Sequence, residues 1–150
     1  MIRRSYSAIA ACLFLGALVT PVIAGETSDT RELIQRTDAE KAFILEQMRL
    51  LLGSIAEVED ALGSGDMNKV ADEAAARGRK ANINLPRPPG LSAKESDGWK
   101  SMFQSVRGGF DLIAEKAKVH APAAEINKTL ADTMRNCVAC HETYRITVEH

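Results

Sequence analysis

From Ile44 the apolar residues fall at Ile44, Met48, Leu51, Ile55, Val58 and Leu62, in alternating steps of four and three. That is the period of a helix packed lengthwise against others. Thr37-Asp38-Ala39-Glu40 has the form of a capping box and predicts the start of this helix, with Asp29 or Thr30 as openings for an earlier turn. Gly63-Ser64-Gly65 predicts its end. Asp66 is then an N-cap for a second, Ala-rich helix that carries Val70, Ala71, Ala74 and Ala75 and fades near Asn84.

Pro86, Pro88 and Pro89, with Gly90, make a linker that no helix crosses. A third helix is predicted to open at Ser92-Ala93-Lys94-Glu95 or at Ser96-Asp97, with the stripe Trp99, Met102 or Phe103, Val106, Phe110, Ile113 and Ala117. His120-Ala121-Pro122 breaks it, and Pro122 suits the first turn of a fourth helix. That helix would present Ile126, Leu130, Thr133, Cys137, His141, Tyr144 and Val148 on one side. No segment alternates with period two, so no sheet is expected. The expected fold is all-α, an antiparallel up-down-up-down four-helix bundle over residues 38–150.

Gly108-Gly109 inside the third helix costs roughly 1 kcal/mol per Gly relative to Ala, so a close approach by another element is expected there. The Ala-rich face of helix two is a candidate dimer seam. Lys plus Arg number 19 against 20 Asp plus Glu, so nucleic-acid binding by phosphate neutralisation is not expected. An apolar content of 45% excludes wholesale disorder.

The first 24 residues read as a cleaved signal peptide. Arg3 and Arg4 form its positive region, Ala8 to Val19 its apolar stretch, and Val22-Ile23-Ala24 its cleavage site, before Gly25. The apolar run is shorter than the ~20 residues of a bilayer span, so no membrane span is expected in the mature chain. Ile9-Ala10-Ala11-Cys12 only loosely fits a lipid-attachment box. Cleavage would leave 25–37 as a lead-in and two cysteines, both in one motif. The mature protein would lie in the bacterial periplasm.

That motif is Cys137-Val138-Ala139-Cys140-His141, the C-x-x-C-H signature of c-type haem attachment. Cysteines three apart occupy neighbouring positions of a helical turn, so both sulfurs can reach the vinyl-derived carbons on one edge of a porphyrin. His141 follows directly and can present an imidazole nitrogen to the iron. Three other chemistries use cysteine pairs. A thioredoxin-type pair sits at a helix N-terminus that lowers the thiol pKa, whereas this pair falls late in a helix, where the dipole opposes a thiolate. Zinc would need a fourth ligand, and His120 and His150 do not repeat the spacing of a zinc pair. A structural disulfide leaves the adjacent histidine unexplained.

Helical segments in this order, closed by C-x-x-C-H and then x-x-Tyr-Arg, resemble the cytochrome c′ family. The matching residues are Cys137, Cys140, His141, Tyr144 and Arg145, and the likeness in element order covers 38–147. The resemblance implies a periplasmic protein with one covalent haem c inside one end of the bundle, often a homodimer. It implies His141 as the proximal iron ligand and a distal position on helix one.

Topology narrows that distal position. In an up-down-up-down bundle Met67 falls at the far end, and Met134 shares the haem-bearing helix. Met48 and Met102 remain, and height along the bundle does not separate them. Met48 lies on the inward stripe and on the helix that the resemblance indicates. Tyr144 is expected to pack against the ring, as Trp99 could. Arg145 is expected to meet a propionate, whereas Arg77, Arg79 and Lys80 read as surface charge. With His141 and Met48 both bound, the protein would carry single electrons between periplasmic partner proteins. With Met48 as packing only, the iron would be five-coordinate, and a pocket of Leu45, Met48 and Leu52 would admit nitric oxide or carbon monoxide. No His, carboxylate or Arg motif beside the cysteines supports catalysis, so no enzyme activity is expected.

Overall fold

The computed structural model describes residues 29–82 and 85–148. The expected signal segment and its cleavage site lie outside these residues. Helix α1 (Asp38–Ser64) begins as the sequence requires: Thr37 Oγ1 accepts the Glu40 N–H at 3.2 Å, and the Glu40 carboxylate accepts the Thr37 N–H at 2.9 Å. It ends at Gly65, whose φ of 77° lies in the left-handed region that glycine enters without penalty. Asp66 caps α2 (Met67–Ala75) by accepting the Lys69 N–H.

Helix α2 is shorter than the fade near Asn84 expected of it. The chain leaves it to tuck Gly78 beneath Asp111, where a Cβ would collide with the carboxylate, and Arg79 then bonds Asp111 through both its N–H and its Nε. After the proline linker, Leu91–Lys94 forms a separate 3₁₀ turn. Of the two predicted openings, Ser96 is the one used: it caps α3 (Asp97–Lys118) on the Trp99 N–H. His120 takes a left-handed φ of 52° after α3, and Pro122 leads into α4 (Ala123–Thr143).

The expected absence of a sheet is corrected by the structure. Glu32–Arg36 forms strand β1 and Tyr144–Val148 forms β2, paired in parallel with Ile34 opposite Ile146. Helix α4 therefore stops at Thr143, and Tyr144 and Val148 leave the helical stripe on which they were expected. The Tyr144 N–H still closes the helix by donating to the Cys140 carbonyl. The reason is local: Ile146, Thr147 and Val148 are β-branched in a row, and the lead-in supplies an extended partner.

The described chain is mostly helical, and none of its helices is long and apolar enough to cross a membrane. Helix α3 packs along both α2 and α4, and α1 packs on α2, while α1 and α4 touch only lightly. One core joins the second half of α1 to α2, α3 and the first half of α4, with Val58, Val70, Phe110, Ile113, Ile126 and Leu130 buried. Each such side chain contributes about 1.5–3 kcal/mol. Gly109 lies where a Cβ would collide with Thr133 of α4, which accounts for the second glycine of the pair by a close approach of helices. A smaller cluster, Ile34, Ile44, Leu91, Trp99 and Tyr144, closes the other end with Met48, Met102 and Cys140 packed on it.

Candidate functional site

Because α1 and α4 meet so lightly, a cleft of about 290 Å³ opens between them at the strand-bearing end. Lys41, Leu45 and Met48 of α1 form one wall, and Cys140, His141 and Tyr144 form the other. Trp99 lies between them, with Arg31 and Arg145 beside the strands. His141 is in the last turn of α4 and exposed, and its carbonyl accepts from Arg31 Nη1 at 3.1 Å. Met48 is half-buried and lines the same cleft as His141. Met102 packs on the same apolar cluster but does not line that cleft. Met67 packs on the other core and Met134 is exposed. Leu52, expected in the pocket, is 66% exposed and lies outside it, because it falls on the outer face of α1.

Cys137 and Cys140 are half-buried free thiols. Burial pushes both thiols up from their ordinary pKa, and at Cys140 the neighbouring Cys137 adds to the rise. Their place at the end of α4 adds the unfavourable dipole. Neither thiol is activated in the way a redox-active dithiol is. Among the described residues, no three His, Cys, Asp or Glu side chains converge as metal ligands. A zinc ion would need such convergence. A ring held at its edge by two sulfurs and at its centre by an imidazole does not. Cys140, His141 and the Met48 thioether on the facing helix share the cleft and are the residues that could hold a haem there, whereas Cys137, one turn back, packs on the larger core and does not line it.

Tyr144 is buried. Its ring meets Trp99 edge-on at 5.4 Å and 68°, and its hydroxyl lies 3.2 Å from Ser96 Oγ. Gly98 makes this possible, since a Cβ there would strike the Tyr144 hydroxyl. Arg145 is exposed, and its Nε stands 3.8 Å from Asp29, which is more closely paired with Arg31. Arg77 donates to Ser54, and Arg79 holds Asp111.

Sequence reasoning missed two buried arginines. Arg36 is fully buried, with none of its three side-chain nitrogens hydrogen-bonded, and it stacks on Trp99. Arg107 is buried, and burial, followed by the nearby Arg77 and Arg87, pulls its pKa down to about 10, so it stays charged at neutral pH. The signal was present in the spacing: Arg107 falls on the inward run Phe103, Arg107, Phe110, Ala114.

No family model, curated protein or solved structure matches this chain.

Proposed function

We propose that the chain is a periplasmic c-type cytochrome of the cytochrome c′ kind, an antiparallel four-helix bundle that carries single electrons through one haem. Cys137 and Cys140 would hold the ring through thioether bonds, and His141 would bind the iron as its proximal ligand. The observation that carries this reading is the shared cleft, in which the end of the C-x-x-C-H motif faces Met48 from another helix. When bound, the haem supplies a one-electron iron couple, whose potential a His/Met ligand pair raises.

The remaining work falls to the chain. Met48 would fill the distal position, Leu45 and Tyr144 would exclude water from the cleft, and Arg145 would stand at its mouth. Redox partner proteins would dock at this end, and the Ala-rich face of α2 is the proposed seam of a homodimer.

Export in a host that matures c-type cytochromes tests the reading. The purified protein should carry the mass of one haem and a Soret band, with neither thiol open to alkylation. Two free sulfhydryls and no Soret absorbance would overturn it. In the ferric protein, a methionine-to-iron charge-transfer band should vanish in Met48→Ala. High-spin iron in the wild type would instead make Met48 packing and favour the binding of nitric oxide or carbon monoxide.

A further inference from the structure

A second cavity, of about 250 Å³, opens between α1, α3 and the proline linker. It shares only Trp99 with the cleft at Met48, Cys140 and His141. Ile44, Leu91 and Trp99 are the buried apolar part of its lining, with Phe43 and Phe103 half-buried beside them, so the wall is apolar and largely aromatic. Arg107, 4% exposed, sets a cation into that wall.

Three guanidiniums face the cavity, and two of them are already neutralised: Arg79 holds Asp111, and Arg87 holds Glu95 at 2.7 Å. Arg107 pairs with no carboxylate among the described residues. It donates to the Arg77 carbonyl at 3.0 Å and to Gln47 Oε1 at 3.3 Å, both neutral oxygens, and lies 4.9 Å from the centre of the Phe103 ring. The charges that act on it most are cations, Arg77 and Arg87. Burying a charge without a counter-charge is costly, and a cation–π contact recovers only part of that cost. Two of the five N–H groups of a guanidinium make the bonds to Arg77 and Gln47, and three remain to grip an anion.

One unbalanced cation calls for a single negative charge, and the aromatic wall calls for an apolar body attached to it. Inorganic phosphate would leave Phe43, Leu91 and Phe103 facing water. A carboxylate matches the planar fork of a guanidinium and accepts two of its N–H groups together. The cavity lies below the usual ~300–1,000 Å³ of ligand pockets, which limits the body to about one ring.

We propose that this cavity binds a small aromatic monocarboxylate, with the carboxylate on Arg107 and the ring against Phe43, Trp99 and Phe103. Gln47 steadies the guanidinium from α1. No residue of the cleft at Cys140 and His141 other than Trp99 takes part, so the site does not rest on the haem reading.

Phenylacetate, titrated calorimetrically into the exported protein, is the probe. One equivalent should bind, with a Kd below about 1 mM. Phenylacetamide keeps the ring and loses the charge, and acetate keeps the charge and loses the ring. Each should bind at least about tenfold more weakly. Arg107→Gln should weaken phenylacetate by a similar factor, whereas Arg135→Gln, on an exposed side chain of α4 paired with Asp132, should leave it unchanged. In methyl spectra the Leu91 signals should shift on saturation, and those of Ile146, which lines only the cleft, should stay in place.

Phenylacetate that gives neither heat nor a Leu91 shift at about ten times that Kd would overturn the proposal. Equal affinity for phenylacetamide would do the same, and this comparison needs no variant, so it decides even if Arg107→Gln fails to fold. Shifts confined to Ile146 would move the anion to the other cleft and also defeat it. A missing Soret band defeats the haem reading alone, because none of these measurements depends on a haem.

Discussion

The two ends of the helical assembly are built on opposite terms. At the end remote from His141, Val58, Val70, Phe110, Ile113, Ile126 and Leu130 close a core made of apolar side chains. At the other end the apolar cluster is small, two cavities border Trp99, and a buried arginine has no acceptor. The helices are the same in kind at both ends; what differs is what they enclose. The difference teaches that the same kind of helix closes a core where its inward positions are all apolar, and leaves open space where arginines, strands and a proline linker interrupt the packing.

The contrast is most exposed to a pair of truncations. Phe110→Ala should cost about 3–5 kcal/mol, because the closed core cannot collapse around the loss. Met48→Ala should cost less than half of that, since Met48 already borders open space. Urea midpoints compare the two, and equal losses would break the distinction.

A smaller effect should come from Gly109→Ala, at about 1–3 kcal/mol, because the new methyl meets Thr133. The double variant Gly109→Ala/Thr133→Ala should recover most of it. If the single variant is as stable as wild type, α3 and α4 are not in close contact there.

The smallest expected effect is acid sensitivity at the open end. Hydrogen bonding from the Thr37 N–H, followed by Lys94, lowers the Glu40 pKa below its ordinary 4.5. A carboxyl depressed in the folded state contributes stability that is present above its unfolded pKa and lost as pH falls through the folded one. Glu40→Gln should therefore narrow the stability difference between neutral and acid pH, as read by thermal melts. An unchanged acid limb would remove Glu40 from that account.

Helix boundaries were legible wherever a cap is a local matter: Thr37 with Glu40, Gly65, Asp66, Ser96 and Pro122 each act within a turn of their own position. The end of α2 was not, because it depends on Asp111 of another helix. The strands were missed for the same physical reason. Five-residue segments carry little periodicity, and β1 finds its partner only at the far end of the described chain. Burial in β1 alternates through Ile34 and Arg36, and a charge at the second inward position hides the apolar pattern. At the candidate site, the helical stripe already put Met48 on the inward face of α1, and it lines one cleft with Cys140 and His141. The arginines over Trp99 and Phe103 were not legible, since a charge on an apolar stripe declares its burial only once neighbouring elements close over it.

The parallel pairing of β1 with β2 also sets an order of events. Synthesis delivers Glu32–Arg36 before Tyr144–Val148, so this clasp cannot close until the four helices between them have emerged. Cys137, Cys140 and His141 emerge just ahead of β2. Until β2 docks, Tyr144 has no strand to hold it; afterwards its ring is fixed edge-on against Trp99. The clasp thus acts as a latch that only the assembled helices can bring together, tying the two ends of the described chain last.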